Sequence, residues 1–261
     1  MGEAALGGRD KLTFALPEGL APLGAWAEQL IAESTGKEGT GIVPVDGEPP
    51  GPAGVYGDDR LFFTAPGPEP PGPFVRLPLR ASRDVGWAFF VLELATALAG
   101  AVLGINPFDQ PDVQAAKDRT FEALASGQIP VEEEGRVDDL LGTVRPRDYV
   151  AIQAFVDPGG ELAGRLRAAQ RRVRDRLRVA ATLGFGPRYL HSTGQLHKGG
   201  PDTGVFLQVF EEPREDRPVP GEEYTFGRLI AAQAAGDLAA LRDGGRRAVR
   251  VAPEDLLAWE G

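Results

Sequence analysis

Cysteine is absent from the 261-residue chain, and histidine occurs only twice. The missing thiols exclude disulfide bonds, zinc–thiolate sites and a cysteine nucleophile. The two histidines, His191 and His197, would point about 120° apart on a helix and could not share a metal ion there. The sequence therefore predicts no transition-metal centre. The alternative that both are ordinary surface histidines stays open.

The loops that bind nucleotide phosphates are also missing. No G-x-x-x-x-G-K-[ST] motif occurs, because Gly36 and Lys37 are followed by Glu38 and have no upstream glycine at the required spacing. The segment that begins at Gly184 resembles the start of a dinucleotide fingerprint, but Tyr189 takes the place of its third glycine. Neither motif predicts a nucleotide cofactor.

Positive charge is scarce, since the formal net charge is -10. Such a field disfavours nucleic acid and anionic membrane surfaces as partners. The one basic run, residues 165–178, carries apolar residues at helical spacing between its arginines. We therefore expect it to form the exposed face of an amphipathic helix.

An uninterrupted apolar run of about 20 residues, the length of a membrane span, is not present. The most apolar stretch, residues 85–103, contains Glu93 and two glycines, which favours a buried helix. The first residues show no basic segment followed by an apolar one, so we expect no signal peptide and a cytoplasmic protein.

What the chain does contain is an alternation of β-rich runs and helical patterns. Strands are predicted at residues 11–16, 60–65, 74–79, 148–156, 204–210 and 247–251, and helices at 20–34, 85–103, 111–126, 160–181 and 224–242. This alternation predicts an α/β fold with a mostly parallel sheet. We expect one domain over residues 1–261, with a Pro/Gly-rich insertion around 46–73.

Three polar residues could carry chemistry. Glu33 lies at the end of an apolar helix, just before S-T-G-K, where its carboxylate could be a general base or a solvated helix-terminal acid. Lys117 would by itself be one more exposed helical lysine. His191 precedes S-T-G-Q, whose small hydrogen-bonding groups suit a polyol-binding turn. None of the three indicates a function alone.

Together, the segments around these residues resemble glucose-6-phosphate isomerases. Residues 8–45, with A-E-S-T-G-K, resemble the family's E-S-x-G-K region, and N-P-F-D-Q-P-D-V-Q-A-A-K at 106–117 is similar to its F-D-Q-x-G-V-E-x-x-K segment. L-H-S-T-G-Q at 190–195 is similar to its histidine motif. The segment at residues 186–208 looks closest to the isomerase half of fused transaldolase/glucose-6-phosphate isomerases.

The resemblance implies a C-terminal sugar-isomerase (SIS) domain, a three-layer α/β/α sandwich with a mostly parallel sheet. It implies that Glu33 moves a proton between C2 and C1 through a cis-enediol, that His191 assists ring opening, and that Lys117 lies near the ring oxygen. Such chemistry needs one tuned carboxylate and donors for the enediol oxygens, without a metal or organic cofactor. The implied substrate-binding residues are Ser34, Lys37, Gln110, Ser192 and Gln195.

The implied partners are glucose 6-phosphate or fructose 6-phosphate, an N-terminal isomerase domain in cis or in trans, and a second copy in a homodimer. Family members place the histidine across a dimer interface, so His191 could serve a neighbouring site. Neither nucleic acid nor a membrane is expected.

Two departures from the family pattern modify these expectations. Lys117 precedes His191, the reverse of their order in stand-alone isomerases, and Asp112 and Gln114 stand where the lysine segment has glycine and glutamate. The phosphate loop and the G-G-R motif of the family's first domain are not found. We therefore expect half of an active site with little activity alone, and a non-catalytic sugar-phosphate-binding or assembly module is the alternative.

Overall fold

The computed structural model describes residues 1–79, 82–111, 119–121, 124, 129 and 134–261. Strands β1 to β8 are Lys11–Ala15, Val43–Val45, Arg60–Thr64, Phe74–Arg76, Tyr149–Phe155, Ala180–Phe185, Gly204–Phe210 and Arg247–Arg250. In the described part of the chain, helices α1 to α8 are Gly2–Leu6, Ala21–Thr35, Val85–Leu103, Val137–Leu141, Glu161–Leu177, Gly194–Gly199, Phe226–Asp243 and Pro253–Ala258.

Within the described residues, the strands form two four-stranded sheets, in the orders β2-β1-β3-β4 and β6-β5-β7-β8. Every pairing is parallel. Parallel neighbours need crossover connections, which the helices supply here. The central strand β5 is buried along its whole length, as its continuous apolar character predicts for a strand covered on both faces. The predicted α/β/α sandwich with parallel strands is confirmed, and the strands divide between two sheets.

Two strands were not predicted from the sequence, β2 and β6. The helix predicted over 160–181 is wrong at its C-terminal end, because α5 ends at Leu177 and β6 begins at Ala180. Arg178 ends the helix in the left-handed conformation, with φ of 56°, a role in which glycine is the usual sequence signal. Strand β2 is only three residues long and contains Pro44, so its pattern is too short to read.

Most of the predicted helix at 111–126 falls outside the described residues, and Lys117 falls outside them entirely. The assignment of residues 1–261 to a single domain stays a prediction. Strand β3, predicted inside the Pro/Gly-rich segment, is present and pairs with both β1 and β4.

The two sheets meet where their edge strands β2 and β6 approach each other. Apolar side chains from both edges, including Val43, Val45 and Ala180, belong to one buried cluster. Next to this cluster, the carboxylate of Glu48 accepts hydrogen bonds from Arg60 at 2.9 Å and from the backbone N–H of Ala181 at 3.0 Å. The buried Glu48–Arg60 ion pair of the first sheet is therefore hydrogen-bonded to β6 of the second sheet.

Arg174 completes this ion cluster and corrects one expectation. The basic run was predicted to face solvent, and Arg165, Arg167 and Arg171 do. Arg174 is instead fully buried, 3.9 Å from Glu48, and it also donates to Asp175 at 2.7 Å and to a backbone carbonyl. Its position on the inner face of α5 brings it to the seam between the sheets.

Helix α3 corrects a second expectation, because only one of its faces is buried. Ala88, Leu92, Thr96, Ala99 and Gly100 are buried. On the other face the exposed fractions are 45% for Trp87, 63% for Phe90, 49% for Leu94 and 58% for Leu98. In the described part of the chain, α3 is the helix that is long and apolar enough to cross a membrane, a property that core helices of soluble proteins share. Because the helix is apolar on all sides, its sequence could not show which face is covered.

Helices α2 and α6 make a very close contact at Gly36, directly after α2. A Cβ atom at Gly36 would collide with Cα of Leu196, in the backbone of α6, and would lie 2.6 Å from Cβ of Leu196 and 2.8 Å from the carbonyl oxygen of Ala32. The amide of Gln195 donates to the Gly36 carbonyl at 2.9 Å, and Gly39 N–H donates to Gly199 at 2.9 Å. This contact places the A-E-S-T-G-K segment against the L-H-S-T-G-Q segment.

We expect Gly36→Ala to destabilise the fold by about 1–3 kcal/mol, because the added methyl group meets the backbone of α6 rather than a flexible side chain. Gly164→Ala, within α5, is the matched control, since its Cβ would meet nothing within 4 Å. It should stabilise the helix by about 0.5–1 kcal/mol. Urea unfolding of both variants checks the pair, and an undisturbed Gly36→Ala protein would contradict the close contact.

Candidate functional site

Glu33 lies in the last turn of α2, and its carboxylate is held by two amides. Gln110 donates to Oε2 of Glu33 at 3.2 Å, and Gln29, one turn earlier, donates to the same oxygen at 3.5 Å. Burial raises the pKa of Glu33 above its ordinary value of 4.5, while the hydrogen bond from Gln29, the charge of His191 and the hydrogen bond from Gln110 oppose the rise. The result is a fixed carboxylate that holds a proton more readily than a solvated glutamate.

Glu33, Gln110 and His191 line one cavity of about 280 Å³. The other described residues that line it are Thr120, Phe121, Leu124, Leu190, Lys198, Leu229 and Gln233. The three predicted site residues come from segments that are far apart in the sequence. The fold therefore brings parts of all three motifs to one apolar-walled cavity.

Lys37 joins two of the motifs through its side-chain contacts. Its side chain is fully buried, and the ammonium group donates to the carbonyl oxygen of Asn106 at 2.9 Å and to Oδ1 of Asp109 at 2.9 Å, with a further contact to the Asp109 carbonyl. The hydrogen bond from Lys37 lowers the pKa of the Asp109 carboxyl. Lys37 thus holds the loop that carries Gln110. Its predicted contact with substrate stays a prediction.

The two histidines lie in different environments. His191 ends a short 3-10 turn, is exposed, and reaches the cavity. His197 is buried in α6, where the amide of Gln153 lies 3.1 Å from its Nδ1. Burial, and then the charges of Lys198 and Arg246, hold the pKa of His197 well below its usual range, so this ring is neutral. The interpretation of both as surface histidines is wrong for His197.

The described residues contain no group of three or more His, Cys, Asp or Glu side chains that could hold a metal ion. Ser192 and Gln195 are buried and face α2: Ser192 donates to Glu28 at 3.2 Å, and Gln195 donates to the Gly36 carbonyl. Ser34 is half-buried beside Glu33. Roles for these residues in substrate binding stay predictions.

Glu28 was not predicted as a site residue, yet its environment is unusual. Burial and the neighbouring Asp46 raise its pKa from 4.5 to about 7, against the opposing effects of Ser192 and Arg188. Asp46 directly follows β2, and Arg188 lies just after β6. No motif marks Glu28. Its position five residues before Glu33 places it on the part of α2 that meets the histidine segment.

A buried polar chain behind the cavity was also missed. Lys198 forms an ion pair with Oδ1 of Asp237, and the hydroxyl of Tyr189 donates to Oδ2 of Asp237 at 2.6 Å. Asp237 is fully buried in α7. A lone aspartate within an alanine-rich helix was the available signal, because a buried carboxylate requires partners.

Comparison with known proteins finds local similarity to glucose-6-phosphate isomerases. The chain is 42% identical over 65 residues to the enzyme of Streptococcus equi subsp. zooepidemicus, a match that covers 25% of this chain and 14% of that enzyme. It is 39% identical over 59 residues to the enzyme of Exiguobacterium sibiricum, covering 23% of this chain and 13% of that enzyme. The similarity spans about one seventh of these relatives' length and does not extend to the whole enzymes.

No protein-family model matches the chain. Among solved structures, a hypothetical protein from Thermus thermophilus aligns over 98% of this chain and 78% of its own, with 18% sequence identity and a TM-score of 0.40. That TM-score is too low to bear on fold or function.

The pKa of Glu28 predicts a specific pH dependence of stability. A carboxyl whose pKa is raised by folding stabilises the protein below its unfolded value of 4.5, and this contribution is lost as the pH rises through about 7. We expect Glu28→Gln to be more stable than the parent above pH 7 by an amount on the order of 3 kcal/mol, at about 1.4 kcal/mol per pKa unit.

Urea unfolding between pH 4.5 and 8 measures this difference. The stability difference between Glu28→Gln and the parent should grow with pH along the titration curve of one group. It should vanish at the acid end of this range. Glu254→Gln, at an exposed position of α8, is the matched control and should show no comparable trend. A Glu28→Gln variant that is equally stable at every pH would contradict the buried environment of this carboxyl.

Proposed function

We propose that this chain is the isomerase domain of a glucose-6-phosphate isomerase, which interconverts glucose 6-phosphate and fructose 6-phosphate by proton transfer through a cis-enediol. The observation that carries the proposal is the meeting of Glu33, Gln110 and His191 at one cavity. The local similarity to glucose-6-phosphate isomerases supports the same chemistry.

Glu33 is the proposed base. An aldose–ketose isomerase must remove a proton next to a carbonyl group, and a carboxylate with a raised pKa is a better acceptor at neutral pH than a solvated one. The hydrogen bond from Gln110 occupies Oε2 of Glu33 and orients the carboxylate. His191 is proposed to assist ring opening from the edge of the cavity, and Lys117 keeps its proposed place near the ring oxygen.

The proposed site is completed by a further domain. The residues that line the cavity include no Ser/Thr-rich phosphate loop among those that the structure describes. An N-terminal isomerase domain, in the same polypeptide or on a partner, would supply the phosphate loop and the enediolate-stabilising arginine. We further propose an SIS-type fold, a transaldolase/isomerase fusion as the parent protein, a homodimer, and a cytoplasmic location.

A second candidate is a non-catalytic module that binds sugar phosphates or serves assembly. The exposed apolar face of α3, with Trp87, Phe90, Leu94 and Leu98, is the observation that favours it. Monomeric proteins rarely leave such a continuous apolar surface open to water. The two candidates differ in turnover, which the second one lacks.

Glu33→Gln in the full-length protein tests the proposal. We expect conversion of fructose 6-phosphate to fall by about 10²–10⁴-fold, the usual contribution of a general base, while binding is retained because the amide accepts the same hydrogen bonds. Incorporation of solvent deuterium at the reacting carbons, followed by NMR, reports the proton transfer directly. Glu254→Gln, an exposed glutamate of α8, is the control for loss of one carboxylate.

Unchanged turnover or deuterium exchange in Glu33→Gln would refute the assigned base. Sugar-phosphate binding by the parent protein without exchange or turnover would favour the binding module. The 261-residue chain alone should show little or no activity, and robust isomerisation by it would overturn the proposal that it carries half of the site.

A further inference from the structure

Lys198 supplies a positive charge at the cavity that the proposed mechanism does not use. It lies in α6, one residue after the buried His197, and it lines the cavity together with Glu33 and His191. Among the described lining residues it is the one lysine or arginine. Its side chain is 9% exposed, so it reaches the cavity from a mostly buried position.

The ammonium group of Lys198 has hydrogen-bonding capacity to spare. A lysine has three N–H donors. One contacts Oδ1 of Asp237, and a second, longer contact of 3.4 Å runs to the carbonyl oxygen of Gly194. Within the described residues the third donor has no acceptor, which leaves it for a group inside the cavity.

Asp237 holds the Lys198 ammonium group in place from the core side, so the positive charge still faces the cavity. The aspartate is fully buried behind the lysine, and its second oxygen accepts from Tyr189 at 2.6 Å. Burial and the charge of Asp237 raise the pKa of Tyr189 well above its usual range, so the hydroxyl keeps its proton and remains a donor. The ion pair is therefore oriented, with its negative end in the core and its positive end at the cavity.

The proposed reaction indicates which substrate charge the Lys198 ammonium group would meet in the cavity. Removal of a proton by Glu33 leaves negative charge on the oxygens of the reacting carbons, and a fixed donor in a site with apolar walls is effective at stabilising it. The arginine that serves this purpose in the family's other domain has no counterpart that we find in this sequence.

We propose that Lys198 binds a negatively charged oxygen of the sugar phosphate held in this cavity, with the oxygen of the enediolate as its target. The inference rests on the proposed function, because it takes that substrate class and the role of Glu33 as given. Lys198 forms an ionic hydrogen bond through its free N–H, and Asp237 acts as a positioning residue behind it.

Ligand binding by the full-length protein, measured by calorimetry, tests the inference without requiring turnover. One probe is a phosphorylated five-carbon hydroxamate, which mimics the enediolate. The other is glucitol 6-phosphate, which has the phosphate but no group that mimics the enediolate. We expect Lys198→Met to weaken hydroxamate binding by about 10- to 100-fold, the usual range for a charge-assisted hydrogen bond. Lys198→Arg, which keeps the charge, should retain most of it.

Two further variants separate a local effect from a global one. Arg171→Met removes one exposed positive charge from α5 and should leave both affinities unchanged. If Lys198→Met fails to fold because Asp237 is left unpaired, the double variant Lys198→Met with Asp237→Asn removes both charges, and its asparagine oxygen can still accept from Tyr189. The double variant should show the same loss of hydroxamate binding.

Loss of hydroxamate binding alone supports contact with the enediolate, and loss of both ligands supports contact with the phosphate oxygens instead, which would overturn the assigned target. Unchanged binding of both ligands by a folded Lys198→Met protein would overturn the inference. If binding by Lys198→Met is unchanged but Glu33→Gln is inactive, the proposed function stands and only the role of Lys198 is overturned. If the parent shows no turnover but Lys198 governs binding, the function fails and the anion contact remains.

Discussion

The close contact between α2 and α6 at Gly36 is the constraint on which the site depends. There is no room at this position for even a methyl group, so the two helices are held at a fixed distance. Because Glu33 lies in the last turn of α2 and His191 lies just before α6, the contact sets how far apart these side chains can be. The hydrogen bond from Gln195 to the Gly36 carbonyl locks the same junction.

Around this junction, buried charges serve to hold backbone segments in place. Lys37 gathers the loop at Asn106 and Asp109, and in doing so it presents Gln110 to Glu33. A buried ammonium group without hydrogen-bond acceptors raises the free energy of the folded state. Moving the loop away from Lys37 is therefore unfavourable. The orientation of the Glu33 carboxylate is thus linked to a lysine that does not line the cavity.

The sequence could predict what depends on local patterns and short motifs. Strand β7 was predicted with the bounds it has, because its run is apolar apart from Gln208, as expected for a strand covered on both faces. The motifs around Glu33 and His191 pointed to two side chains that line the same cavity, and their catalytic roles stay predictions. Lys198 and Asp237 could not be paired, because their contact joins two helices 39 positions apart in the chain. The exposed face of α3 could not be predicted either, since burial of an apolar helix depends on what the rest of the chain covers.

The ion cluster at Glu48 also determines how the two sheet edges behave toward other chains. An unpaired edge strand offers N–H and C=O groups on which a foreign strand can add, which is a route to aggregation. At β6, the outward N–H of Ala181 is already taken by the Glu48 carboxylate. The guanidinium groups of Arg60 and Arg174 lie on either side of that carboxylate. A strand that tried to insert between β2 and β6 would have to displace three buried charges, so the seam resists strand exchange although its two edges share no ladder.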